Sequence, residues 1–163
     1  TGGNAIAEAV AAYVDAHRDE YQLIVTTQDW HIDPGEHFSE NPDFVDTWPP
    51  HGVAGTDEAE LHPALANVNA DVTVKKGQYK AAYSGFEGTT EDGKTLEEAL
   101  RDAGITDVDV VGLAESHCVA STAVDAVHAG FRTRVLRELT APVTEELGAV
   151  AREWMTTEGV LLV

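Results

Sequence analysis

The 163-residue chain has a single cysteine, Cys118, so no disulfide can form within it. Positive charge is scarce as well: 10 lysines and arginines face 29 aspartates and glutamates, for a formal net charge of -19. Such a surface repels phosphate backbones and anionic headgroups wherever a strong basic patch is lacking. The sequence contains no such patch, which argues against nucleic acid and anionic membranes as partners. No apolar run approaches the roughly 20 residues a membrane helix needs. The opening, TGGNAIAEAV, has neither a basic segment followed by an apolar one nor an initiator methionine. From these absences a cytoplasmic protein is expected, as is a segment upstream of Thr1.

What is present suits one globular domain over residues 1–163. Hydrophobic residues make up 43% of the chain and charged residues 24%, and this length buries well over half of the unfolded surface. Ile6, Val10, Tyr13 and Val14 recur at helical spacing from Asn4, a candidate N-cap, to about His17. Gln22 to Thr27 and Asp71 to Lys75 read as short buried strands. Thr95 and Glu98 form a capping box for a helix that stops at Gly104. Val108 to Leu113 is the next strand, Val119 to Ala129 a helix, and Arg132 to Leu136 a strand. A helix from Thr144 to Thr157 and a terminal strand from Val160 complete the pattern. This alternation predicts a three-layer α/β/α sandwich around a mainly parallel sheet, with ligands at the carboxyl ends of the strands.

Three segments directly after expected strands carry candidate chemistry. The first runs through an unusually long irregular stretch, Gln28 to about Leu61. Asp29 and His31, two residues apart, share one side of an extended chain, and His37 and His51 follow. One carboxylate and three imidazoles suit zinc, manganese or iron, although a single loop histidine is more commonly a surface or hydrogen-bonding residue. His62, before Pro63, is read as structural. The second segment holds Lys75 and Lys76, either of which would stabilise a nearby thiolate, while a strand-end lysine is more commonly solvated. The third places Cys118 between a strand and a helix, where helix N-H groups lower a thiol pKa and bind an oxyanion. A lone cysteine is otherwise commonly buried and inert.

Four segments, T-x-D-W-H-I-D-P-G-x-H-F-S from Thr27, W-P-P-H-G-V-x-G-T from Trp48, K-G-x-Y-x-x-A-Y-S-G-F-E-G from Lys76 and G-L-A-x-x-H-C-V-x-x-T-A-x-D-A from Gly112, together resemble the nicotinamidase, or pyrazinamidase, branch of the isochorismatase-like hydrolases. The resemblance implies that family's fold and hydrolysis of nicotinamide, or pyrazinamide-like amides, through a cysteine thioester. It implies Cys118 as nucleophile and Lys76 as catalytic lysine, with an oxyanion hole from the N-H groups of Ala114 and Cys118 beside a cis Leu113–Ala114 bond. Asp29, His31, His37 and His51 would hold one divalent transition metal, zinc, iron or manganese. Trp48 and Tyr83 would wall the ring pocket. A homo-oligomer is compatible with all of this.

The resemblance also implies a strand upstream of Thr1 whose aspartate is the general base, and neither is in the chain. The sheet is therefore expected to lack a central strand, with the natural protein starting roughly two dozen residues earlier, and the chain should expose unpaired backbone there. Neither Asp33 nor Glu115 is an evident substitute for the base. Two rival readings stand beside the first: a sibling amidase for another small amide or ureido compound, and a catalytically silent metal-binding module.

Overall fold

A computed structural model describes residues 2–163. Helix α1 (Gly3–His17) opens the chain. Strands β1 (Val25–Asp29) and β2 (Val72–Lys76) follow, separated by the long irregular stretch. Helix α2 (Leu96–Asp102) leads to β3 (Asp107–Leu113), α3 (Ala120–His128), β4 (Arg132–Ala141), α4 (Glu145–Glu158) and the short β5 (Leu161–Leu162). All strand pairs are parallel, β1 with β2 and β3 with β4 with β5, as crossovers through helices require. Among the described residues no helix is long and apolar enough to cross a membrane.

Local signals explain most element ends. The Thr95–Glu98 capping box forms in both directions. At the start of α1, however, the N-cap is Gly2, and Asn4, expected there, lies inside the helix, where its Oδ1 meets His62 Nε2 at 3.2 Å. His62 itself caps the turn Pro63–Leu65 by accepting from the Ala64 N-H, a structural role as expected. Strand β4 is ten residues long, twice its expected length, because a register shift between Val110 and Gly112 lets pairing resume at Thr140 and Ala141.

The core lies on both sides of β3. Val110, Val119, Ala123, Val124, Val135 and Met155 join α3 and α4 to β3 and β4. Val74, Leu96, Leu100, Ala126 and Phe131 join α2 and α3 to β2. Alternate residues of β3 point the other way: Asp109 accepts from the Tyr21 hydroxyl beyond α1, and Leu113 packs near Gly3 of α1. Helices therefore cover both faces, giving the expected three layers.

The sheet falls into two ladders, order β1-β2 and β3-β4-β5. Between them a cavity of about 630 Å³ is lined by Val25 and Thr27 of β1, by Val108, Val110 and Leu113 of β3, and by Cys118. Among the described strands, the edge of β1 away from β2 and the edge of β3 away from β4 have no strand partner. Met155 is 0% exposed between α3 and α4, so Met155→Ala should lower the unfolding free energy by about 2–5 kcal/mol in urea titrations. Val150→Ala, at a position 67% exposed, should change it by less than about 0.5 kcal/mol.

Candidate active site

Parallel pairing of β1 with β2 sets Asp29 opposite Lys76, so both arrive at the carboxyl end of the ladder. Lys76 is 2% exposed, and a buried ammonium must find partners for its charge and its three N-H groups. It donates to the Asp29 carboxylate, to the Ala82 carbonyl at 3.0 Å and to Cys118 Sγ at 3.6 Å. Burial acts to lower the Lys76 pKa, but the charges of Cys118 and Asp29 outweigh it and hold the ammonium above its ordinary value. Lys75 faces the opposite side of the strand and stacks 3.5 Å over the Trp30 ring.

Cys118 does not stand at the first residue of α3. After β3 the chain passes through a cis Leu113–Ala114 bond into a π-helical turn, Glu115–Val119. His117 N-H and Val119 N-H both donate to the Ala114 carbonyl at 3.1 Å. Burial pushes the Cys118 thiol up; Lys76 and a backbone hydrogen bond from Ala114 pull the other way without reversing it. This corrects the expectation of a thiol lowered by a helix N-terminus. Cys118 is half-buried, and desolvation of its sulfur outweighs the nearby cation.

Beyond Asp29 the chain stays extended. His31 N-H donates to the Gly52 carbonyl at 2.9 Å, and Ala54 N-H donates back to the His31 carbonyl at 2.8 Å. His37 and Trp48 are tied by Trp48 N-H to His37 O at 2.8 Å. One nitrogen of each His31, His37 and His51 ring falls within 4.8 Å of the others. Each Nδ1 lies on a backbone carbonyl: His31 on Gly77 at 2.7 Å, His37 on Asp46 at 3.0 Å and His51 on Pro49 at 2.8 Å. A carbonyl only accepts, so each neutral ring carries its proton on Nδ1 and offers the Nε2 lone pair, the tautomer a metal ligand requires. His31 Nε2 is buried without a partner, and burial holds His37 below its ordinary pKa. These residues fit a divalent transition metal. Asp29, the fourth expected ligand, is adjacent but falls outside this triad, its carboxylate engaged by Lys76.

The triad adjoins an aromatic cluster. Trp48 Nε1 donates to the Tyr83 hydroxyl at 3.2 Å, and that hydroxyl donates to Val45 O at 3.0 Å. The His117 ring sits 5.3 Å from Trp48 and 5.6 Å from Tyr83, joining the cluster one residue before the thiol.

The family model of the isochorismatase domain matches residues 1–161. The chain is 48% identical over 163 residues to the nicotinamidase/pyrazinamidase of Mycobacterium tuberculosis, across all of this chain and 87% of that one. It superposes on the pyrazinamidase of Pyrococcus horikoshii in complex with zinc with a TM-score of 0.84 at 33% identity, over 100% of this chain and 87% of the other. It superposes on PnC1 of L. infantum in complex with nicotinate at TM-score 0.83 and 30% identity, over 100% and 81% of the two chains.

The chain belongs to the isochorismatase family.

Within the isochorismatase fold, the segments singled out in the sequence meet at one end of the strands. Lys76, Asp29 and Cys118 are joined directly, the three histidines converge, and Trp48 and Tyr83 touch. Sequence reasoning missed His117, whose only signal was its place beside Cys118, and the role of Gly77. Gly77 has φ +75°, and a Cβ there would lie 2.6 Å from His31 Cε1; its carbonyl also receives the His31 proton. Gly77→Ala should therefore strain the backbone and push the His31 ring aside, lowering the thermal midpoint and weakening metal binding by about tenfold or more in a zinc-chelator competition titration. Removing the cation beside the thiol should raise the thiol pKa further. Lys76→Met should accordingly slow iodoacetamide alkylation of Cys118 at pH 8 relative to the parent protein.

Proposed function

We propose that this chain hydrolyses nicotinamide to nicotinic acid and ammonia, with Cys118 as the nucleophile. The observation that carries the reading is the junction of Lys76 with the Cys118 thiol, set beside three histidines that present unprotonated nitrogens to a common point. The relatives named for nicotinamidase and pyrazinamidase activity, and the zinc-bound and nicotinate-bound structures, support the same choice of substrate and cofactor class.

Each residue then has a definite task. His31, His37 and His51 would hold zinc, iron or manganese, with Asp29 as the fourth ligand read from the sequence; the metal supplies a Lewis acid that anchors a heteroaromatic ligand. Trp48, Tyr83 and His117 enclose a flat ring. The Cys118 thiol gives up its proton, which ends on the departing amide nitrogen, and its sulfur bonds to the carboxamide carbon. The developing oxyanion is taken by the N-H groups of Ala114 and Cys118. The C–N bond then breaks, and ammonia leaves with one added proton. Water attacks the thioester, the C–S bond breaks, nicotinic acid departs and the thiol is restored. Lys76 balances the thiolate and keeps the sulfur facing the pocket.

A second reading, a metal-binding module without turnover, is favoured by one observation. Among the described residues no carboxylate hydrogen-bonds the Cys118 thiol, whose raised pKa makes a proton acceptor necessary. An ammonia-release assay on nicotinamide separates the two. Release that Cys118→Ala abolishes while metal content stays unchanged supports the amidase; an active alanine variant removes the nucleophile assignment, and a metal-replete parent protein without turnover favours the binding module.

A further inference from the structure

The turn of residues 115–119 is held from outside by residues that belong to neither the metal triad nor the ring pocket. Glu115 is 3% exposed. Its carboxylate pairs with Arg152 of α4, Nη1 to Oε1 at 2.5 Å, and the same guanidinium pairs through Nη2 with Glu145 in the first turn of α4. Gly148 leaves room for this arrangement, since a Cβ there would lie 3.1 Å from Arg152 Nη1. Just ahead of α4, Val143 N-H donates to Ser116 Oγ at 3.1 Å. The Ser116 hydroxyl is in turn 2.9 Å from His117 Nδ1. Two consecutive residues of the turn are thus fastened to the α4 region, and the next two, His117 and Cys118, face the pocket and Lys76.

A buried ion pair is weak evidence for stability, because apolar side chains of similar volume commonly serve as well or better. Geometry is the more demanding requirement at this place. Glu115 lies between Ala114 and Cys118, whose N-H groups must converge on one oxygen, and a displacement of about 1 Å in such an arrangement lowers a rate about 100-fold. A planar guanidinium held by two carboxylates, Glu115 at Nη1 and Glu145 at Nη2, resists rotation in a way that an apolar contact does not.

We propose that the Glu115–Arg152 pair is a positioning element for the nucleophile, setting the turn so that Cys118 meets Lys76 and the reacting carbonyl. In its catalytic consequence this rests on the amidase reading; in its effect on the thiol it does not. The deciding variant is Glu115→Leu/Arg152→Met, which replaces the pair by apolar groups. Its thermal midpoint should match or exceed that of the parent protein, while iodoacetamide alkylation of Cys118 at pH 8 slows at least about threefold. On nicotinamide, kcat should fall about tenfold with KM within about twofold. A folded double variant with parental alkylation rate and parental kcat overturns the proposal, because the pair would then be structural only. If the double variant does not fold, Arg152→Lys, which keeps the charge and loses the planar fork, is read the same way: slower alkylation supports positioning, and an unchanged rate overturns it. If the parent protein releases no ammonia, the amidase reading fails, and the alkylation comparison still decides the role of the pair.

Discussion

A lysine ammonium that is almost fully enclosed must be surrounded by acceptors, and in this chain that requirement draws three distant segments to one point. Lys76 has its charge answered by Asp29 at the end of β1 and its remaining N-H groups taken by Ala82 and by Cys118 after β3. Removing any one partner would leave a buried donor unsatisfied, at a cost of about 1–3 kcal/mol or more for a charged group. The β1–β2 register decides which lysine is chosen. A slip of one residue would bring Lys75 inward and send Lys76 to the ring of Trp30.

The metal triad depends on the same corner. Gly77, the residue after Lys76, supplies the carbonyl that fixes the His31 tautomer, and its lack of a side chain is what lets the imidazole approach. One dipeptide therefore serves both halves of the site, its lysine turned to the thiol and its glycine to the histidine triad. His37 and His51 find their carbonyls in Asp46 and Pro49. The long irregular stretch is thus ordered by the rings it carries, and the rings are oriented by its backbone.

Cys118 is presented differently from its surroundings. His31 lies on extended chain bridged to Val53 and His37 ends a short 3-10 turn, whereas Cys118 sits in a wide π-helical turn, a feature frequent at functional sites. Enclosure raises its thiol while Lys76 opposes that rise. The two ladders flanking the cavity bring β1 and β3 to the same end of the sheet, which is how the lysine corner and the cysteine turn come to face one another.

How much of this was legible in the sequence follows from the range of the forces involved. Local chemistry was written plainly: the Thr95–Glu98 capping box, the helical periodicity of α1, the β-branched runs, and the four motifs that mark the isochorismatase family. Strand ends were less legible, because the shift that lengthens β4 depends on its partner β3, and the extension of β1 to Asp29 depends on its pairing with Lys76. Sequence alone determined the alternation of elements and the set of reactive side chains, since these arise from propensity and residue type within a few neighbours. The tertiary structure alone decided that Asp29 turns to Lys76, that His117 joins the aromatic cluster, and that burial raises Cys118. Each of these depends on desolvation and on contacts between residues tens of positions apart, which no local pattern encodes.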